Sequence, residues 1–256
     1  MSDLSAFGVQ RAQLDEWETF FRGGGVYGAQ LDTDRVRRRH RANTAVLVVA
    51  SAVVLLALVG LPVLAVLDLG RVLTYVLVAA LAIGALVILV KFYLSRRRLR
   101  AGIGGASDFL VVSLEGIRVA DALELPWSVV SGGAGIDGRG TTGNRLAMRV
   151  SRAAGIAEAE MTLGLRGTRA LRDAAPQHLR GLFEVMGEYG GIRLPLDTML
   201  SPELVRPSLV AMAVAGRMAG VQVDLPIEKG VAFRRVVEVL NPELAHQPAD
   251  DEEKHT

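Results

Sequence analysis

The residues best placed by type and spacing to do chemistry are Gly133-Ala134-Gly135-Ile136-Asp137-Gly138, which match the G-x-G-x-x-G pattern. In a dinucleotide-binding turn a strand leads into this pattern, and the helix that follows holds the pyrophosphate at its N-terminus. Here Arg139-Gly140-Thr141-Thr142-Gly143 continues as loop and an alternating, strand-like segment follows. The glycines therefore read as a flexible hairpin loop, and no Walker A lysine completes a phosphate loop. The histidines, His40, His178, His246 and His255, include no pair at metal-ligand spacing and read as surface residues. Asp and Glu are scattered, so no carboxylate pair stands out. The absence of cysteine excludes disulfides, thiolate catalysis and cysteine-ligated metals. No catalytic, cofactor or metal residue is assigned, and a non-enzymatic role is expected.

The remaining chemistry lies in two basic clusters. Arg35, Arg37, Arg38, Arg39 and Arg41 precede one apolar run, and Lys91, Arg96, Arg97, Arg98 and Arg100 follow another. Such residues attract anionic lipid headgroups with roughly 1 kcal/mol each near a membrane surface. The runs they flank, Thr44–Leu67 and Val72–Val90, each supply the roughly 20 apolar residues a spanning helix needs. Lys91-Phe92-Tyr93-Leu94 extends the second run. A two-helix transmembrane hairpin over 43–95 (spans 44–67 and 72–94) is the expectation. The connecting loop Asp68-Leu69-Gly70-Arg71 is nearly neutral, so the positive-inside rule puts both termini in the cytoplasm and the loop outside. A cleaved signal peptide fits poorly, because the first run is long and lies behind some forty polar residues.

Within the spans, Pro62 marks a kink site, and Ala80 and Gly84 form a small-xxx-small pair suited to close packing on the partner helix or on a second copy. Neither span interior holds an Asp, Glu, Lys, Arg or His, the usual mark of an ion or proton pathway. The hairpin reads as an anchor.

Composition agrees with a small membrane part and a larger soluble part. Half of the 256 residues are hydrophobic, mean hydropathy is positive, and the formal charge of +2 argues against a nucleic-acid binder.

The elements outside the hairpin follow from periodicity. In segment 1–42, Phe7, Leu14, Trp17 and Phe21 form one stripe of an amphipathic helix ended by Gly23-Gly24-Gly25, suited to docking on the cytoplasmic domain or on a partner. A basic flank and glycine linker occupy 96–107. From there the period is two: Asp108–Ser113, Ile117–Asp121, Leu123–Val129, Ala134–Asp137, Leu146–Val150 and Ala157–Leu165 read as antiparallel strands. Trp127 shares a face with Leu125 and Val129 and reads as core. Pro176, the stripe Leu179, Leu182, Phe183 and Met186, and the stop Gly190-Gly191 predict a closing helix. Residues 191–244 read as a helical appendage, with Leu209–Met218 apolar but too short to span, and 245–256 as a disordered acidic tail.

The phrases Leu114-Glu115-Gly116-Ile117-Arg118-Val119 and Leu125-Pro126-Trp127-Ser128-Val129-Val130 resemble the start of bacterial pleckstrin-homology-like (PH-like) domains, which commonly follow a two-helix membrane anchor. The resemblance covers about Asp108 to Gly190. It implies a cytoplasmic α+β domain over 108–190, an antiparallel PH-like sheet or barrel closed by a C-terminal helix, with a binding or scaffolding role. Phosphoinositide recognition does not carry over, since Leu114-Glu115-Gly116 offers an acid where a lysine is needed. The expected function is a membrane-anchored scaffolding module acting on a protein partner in a membrane complex. The alternatives are a lipid-surface or envelope-stress sensor, with 131–143 as an exposed headgroup-reading loop, and an enzyme with an unrecognised site. Membrane lipids and a second copy of the chain remain partners to consider.

Overall fold

The computed structural model describes residues 7, 9–66, 72–103, 107–139, 155–187, 189–225 and 229–241. The strand expected at Leu146–Val150 and the acidic tail lie outside them.

Two long helices dominate the first half, α2 (Thr33–Val66) and α3 (Val72–Leu99), preceded by α1 (Arg11–Arg22) and strand β1 (Tyr27–Gln30). At 1.5 Å per residue α2 is about 51 Å long and α3 about 42 Å, against about 30 Å for a bilayer core. Both are long and apolar enough to cross a membrane. Only 11% and 6% of their most apolar stretches are buried within the molecule. Leu56 and Val72 are 73% and 81% exposed.

Burial on the two helices follows a seven-residue repeat. Asn43, Ala50 and Ala57 are buried on α2 and Ala85 and Phe92 on α3, and the same repeat brings Val36 and Leu99 into the core of the α+β unit. A 3.5-residue period keeps one seam facing the partner helix, and alanine at its apolar end lets the backbones approach. The Asn43 Nδ2 donates to the Phe92 carbonyl at 3.1 Å, adding a hydrogen bond between the helices. Ala80 and Gly84 lie off this seam and are exposed, so they do not mediate packing within the hairpin.

The rest is an α+β unit with two sheets. The first is a meander ordered β1-β2-β3-β4, with β2 (Asp108–Val112), β3 (Gly116–Val119) and β4 (Leu123–Pro126). A 3₁₀ turn at Trp127–Val129 then leads into the second sheet. Its strands are β5 (Val130–Asp137), β6 (Ala159–Leu165), β7 (Phe183–Met186), β8 (Tyr189–Leu194) and β9 (Val223–Asp224), ordered β7-β8-β6-β5-β9. All pairs are antiparallel except the short β5–β9 pair. Helix α4 (Thr168–Ala174) and the single turn α5 (Leu196–Met199) bracket β7 and β8; α6 (Pro202–Met218) and α7 (Lys229–Leu240) complete the chain.

One core joins both sheets to α6. Leu110, Leu125, Trp127, Met161, Leu163, Ile192 and Leu209 all belong to it. Trp127 is buried as expected, and its Nε1 donates to the Ser113 carbonyl at 2.9 Å. Leu209–Met218 proves to be part of this central helix rather than of an appendage. The amphipathic α1 packs on α6: Phe21 is fully buried, the Arg206 guanidinium sits 5.3 Å from the Phe7 ring, and the Tyr27 hydroxyl lies 3.0 Å from Ser208 Oγ.

Three expectations are corrected. Among the described residues the two sheets do not close into a PH-like barrel. No helix spans 176–190. Its stripe is divided between a 3₁₀ turn at Arg180–Leu182 and the β7–β8 hairpin, whose turn uses Gly187 at φ +64°. Leu179, Leu182, Phe183 and Met186 satisfy a helical period, but over so few residues the period does not decide, and pairing with β6 favours the strand.

The third correction concerns Gly133–Gly138. Gly133 and Gly135 are not in a loop but inside β5, which also contains the strand expected at Ala134–Asp137; 131–137 is therefore not loop, Gly138 follows the strand, and 140–143 of the expected reading loop lie outside the described residues. The strand glycines serve packing. A Cβ on Gly135 would sit 2.5 Å from Leu225 Cδ2 and 2.9 Å from Leu209 Cδ2. On β6, a Cβ at Gly164 would collide with the Val239 carbonyl of α7. Glycine at such points lets helix and sheet backbones come close.

Candidate functional site

The basic residues flanking the apolar runs divide into two groups. Arg37, Arg38, Arg41, Lys91 and Arg100 are exposed around the base of the hairpin. Arg35, Arg39 and Arg98 turn toward the α+β unit and pair with it; Arg96 and Arg97 are half-buried.

Arg39 Nη1 lies 3.5 Å from Asp197 Oδ2, and both side chains are largely withdrawn from solvent. Burial pushes the Asp197 carboxyl above its ordinary range against the pull of Arg39, and lowers the Arg39 guanidinium despite Asp197. The carboxylate also accepts the Glu158 N–H at 3.2 Å. One helical turn earlier, Arg35 Nη1 donates to the Leu200 carbonyl at 2.9 Å and the Asp197 carbonyl at 3.3 Å. Asp32 anchors this end of α2 by accepting the Arg35 N–H and donating its own N–H to the Met199 carbonyl.

On the other helix, Arg98 and Arg193 alternate with Glu160 and Glu184. Arg98 Nη2 contacts Glu184 at 2.6 Å and Arg193 Nε contacts it at 2.9 Å, while Glu160 lies 3.9 Å from Arg98 and 3.5 Å from Arg193. Burial raises the Glu160 carboxyl despite both arginines. The Ser95 hydroxyl donates to the Gly155 carbonyl at 2.6 Å, and a Cβ on Gly181 would strike the Arg97 carbonyl. The α+β unit thus grips the basic ends of both helices through paired charges and close backbone contact. Buried pairs of this kind fix geometry more than they add stability.

Among the described residues are a cleft away from this framework and a second that borders it. The larger, about 680 Å³, lies between the turn after α1 and the β2–β3 hairpin. Phe21, Ile117 and Leu125 line it, Val26 and Leu114 add exposed apolar surface, and Arg22, Arg118, Glu115 and Glu124 supply charge of both signs. The smaller, about 270 Å³, lies between α3, β6 and β8.

Among the described residues no group of three His, Asp or Glu side chains could hold a metal. His40 lies on α2, where burial and then the nearby Arg96 and Arg100 lower its pKa. His178 is half-buried before the 3₁₀ turn, and His246 and His255 fall outside the described residues.

Sequence reasoning found the basic flanks but missed their partners, Glu160, Glu184, Arg193 and Asp197. One signal was available: Glu160 and Arg193 interrupt otherwise buried strands, and charges there call for partners. No family model, curated protein or solved structure matches the chain.

Proposed function

We propose that the chain is a membrane-anchored, non-enzymatic scaffolding module in which the hairpin spans the bilayer and the α+β unit, held at its cytoplasmic end, docks a protein partner. The observation that carries this reading is the 680 Å³ cleft, with exposed Val26 and Leu114, displayed on a unit clamped to two lipid-compatible helices. An apolar groove rimmed by charges of both signs suits a peptide segment with apolar anchors and flanking charges. The exposed apolar surface of α2 and α3 favours a bilayer environment, and the basic residues at one end favour the cytoplasmic side for both termini. The resemblance of Leu114–Val119 and Leu125–Val130 to PH-like modules is a further reason for a binding role.

The test is capture from native membranes with a photo-crosslinker at Leu114. A discrete protein adduct that disappears with Val26→Glu supports the reading, provided the variant keeps its unfolding midpoint. Adducts to bulk lipid alone, or adducts indifferent to Val26→Glu, would overturn it.

A second reading, a lipid-surface sensor, is favoured by the exposed Arg37, Arg38, Arg41, Lys91 and Arg100 at the headgroup end of the hairpin. It requires that binding follow anionic lipid content rather than a partner.

A further inference from the structure

The smaller cleft lies where a bilayer surface meets the protein. Lys91 directly follows the apolar run Val72–Val90, so it marks the polar boundary of the span. Lys91, Leu94, Ser95 and Arg98 fall at i, i+3, i+4 and i+7 on α3, and this single face forms one wall. Arg193 and Glu160, on the adjacent strands β8 and β6, contribute to the opposite wall. From Lys91 to Arg98 the helix rises about 10 Å, so the cleft leads from the membrane edge inward to the arginines.

We propose that this cleft binds the phosphodiester headgroup of an anionic membrane lipid. Three cationic side chains line it against one carboxylate, giving a local excess of positive charge. Arg98, Arg193, Glu160 and Glu184 balance one another, which leaves the ammonium of Lys91 as the uncompensated charge at the mouth; Lys91 has no ion pair among the described residues. The contacts of both guanidiniums with Glu160, at 3.5 and 3.9 Å, are longer than a good hydrogen bond, so donor capacity remains for an incoming oxyanion. The site is distinct from the partner cleft and takes only Lys91 from the exposed flank; it rests on the proposed membrane placement of the hairpin.

The experiment uses the full chain in neutral detergent micelles, where no charged surface exists, with lipid occupancy read by native mass spectrometry. Phosphatidylglycerol should bind at defined stoichiometry and phosphatidylcholine should not. Lys91→Ala should weaken phosphatidylglycerol binding about tenfold, while Arg100→Ala, an equally basic exposed position outside the cleft, should change it less than about twofold. Inorganic phosphate at millimolar concentration should not displace the lipid. Equal losses from Lys91→Ala and Arg100→Ala, or no preference for the anionic lipid, would overturn the site. Displacement by inorganic phosphate would overturn the lipid as its ligand. Since Lys91 lines a different cleft from Val26 and Leu114, the Leu114 crosslink should survive Lys91→Ala, so failure here is separable from failure of the partner reading.

Discussion

The Arg39 guanidinium on the first long helix lies 3.5 Å from the Asp197 carboxylate in the single turn after β8, and the two bury each other between the hairpin and the α+β unit. Burial drives each toward its neutral form, yet arginine stays charged in proteins. The pair therefore holds only while both members are present. Arg39→Ala should destabilise the fold by about 3–5 kcal/mol by leaving a buried carboxylate uncompensated. Replacing both, as in Arg39→Met with Asp197→Leu, should recover much of that loss. Denaturant unfolding in detergent, read by tryptophan fluorescence, completes the double-mutant cycle; additive losses would show that the pair does not couple.

Stability should depend on pH through the same buried acids. Burial raises the Asp197 and Glu160 carboxyls in the folded chain. Between the ordinary and the raised pKa the folded state binds more protons than the unfolded one, so stability declines as pH rises through that window. The contribution is complete below the ordinary carboxylate pKa, near 4, and gone above the raised value. Asp137 acts oppositely: despite its burial, hydrogen bonds from Arg139 hold it low. The informative quantity is thus the difference between wild type and Asp197→Asn, which should shrink the decline. An unchanged slope would remove Asp197 as its source.

Glycine positions separate close packing from open space. Gly164→Ala should cost about 1–3 kcal/mol or more, because its Cβ meets the Val239 carbonyl. Gly84→Ala has nothing within 4 Å and should leave the monomer fold unchanged. If Gly84→Ala nevertheless lowers a dimer fraction in mild detergent, the exposed face of Ala80 and Gly84 joins two copies.

The two long helices were legible because an apolar run of this length accumulates signal. Thr44–Leu67 and Val72–Val90 needed no tertiary information. The strands from Asp108 to Leu125 and from Ala159 to Leu165 were legible from alternation. The β7–β8 hairpin was not, because Leu179, Leu182, Phe183 and Met186 fit a helical period over a stretch too short to discriminate. The glycines of β5 misled for a related reason: Gly133 and Gly135 are small for Leu163, Val223, Leu209 and Leu225, which come from elsewhere in the chain. The coupling residues were half visible. Arg39 and Arg98 looked like lipid contacts because only the fold reveals Asp197, Glu160 and Glu184 beside them.

Topology is open to a direct check. A reporter active only outside the membrane, fused after Thr256, should be silent, and the same reporter inserted at Leu69 should be active. The reverse pattern would invert the proposed orientation and place the α+β unit outside.

The central claim is that the hairpin carries the α+β unit as one body. The chain has no cysteine, so Arg41→Cys on α2 and Glu203→Cys on α6, both exposed, give two clean spin-label positions. Distances should be measured by pulsed electron spin resonance in reconstituted liposomes. Clamping through Arg39–Asp197 and Arg98–Glu184 predicts a single narrow distance distribution that broadens with Arg39→Ala. A broad distribution in the wild-type background, unaltered by Arg39→Ala, would mean a freely tethered domain and would contradict the account.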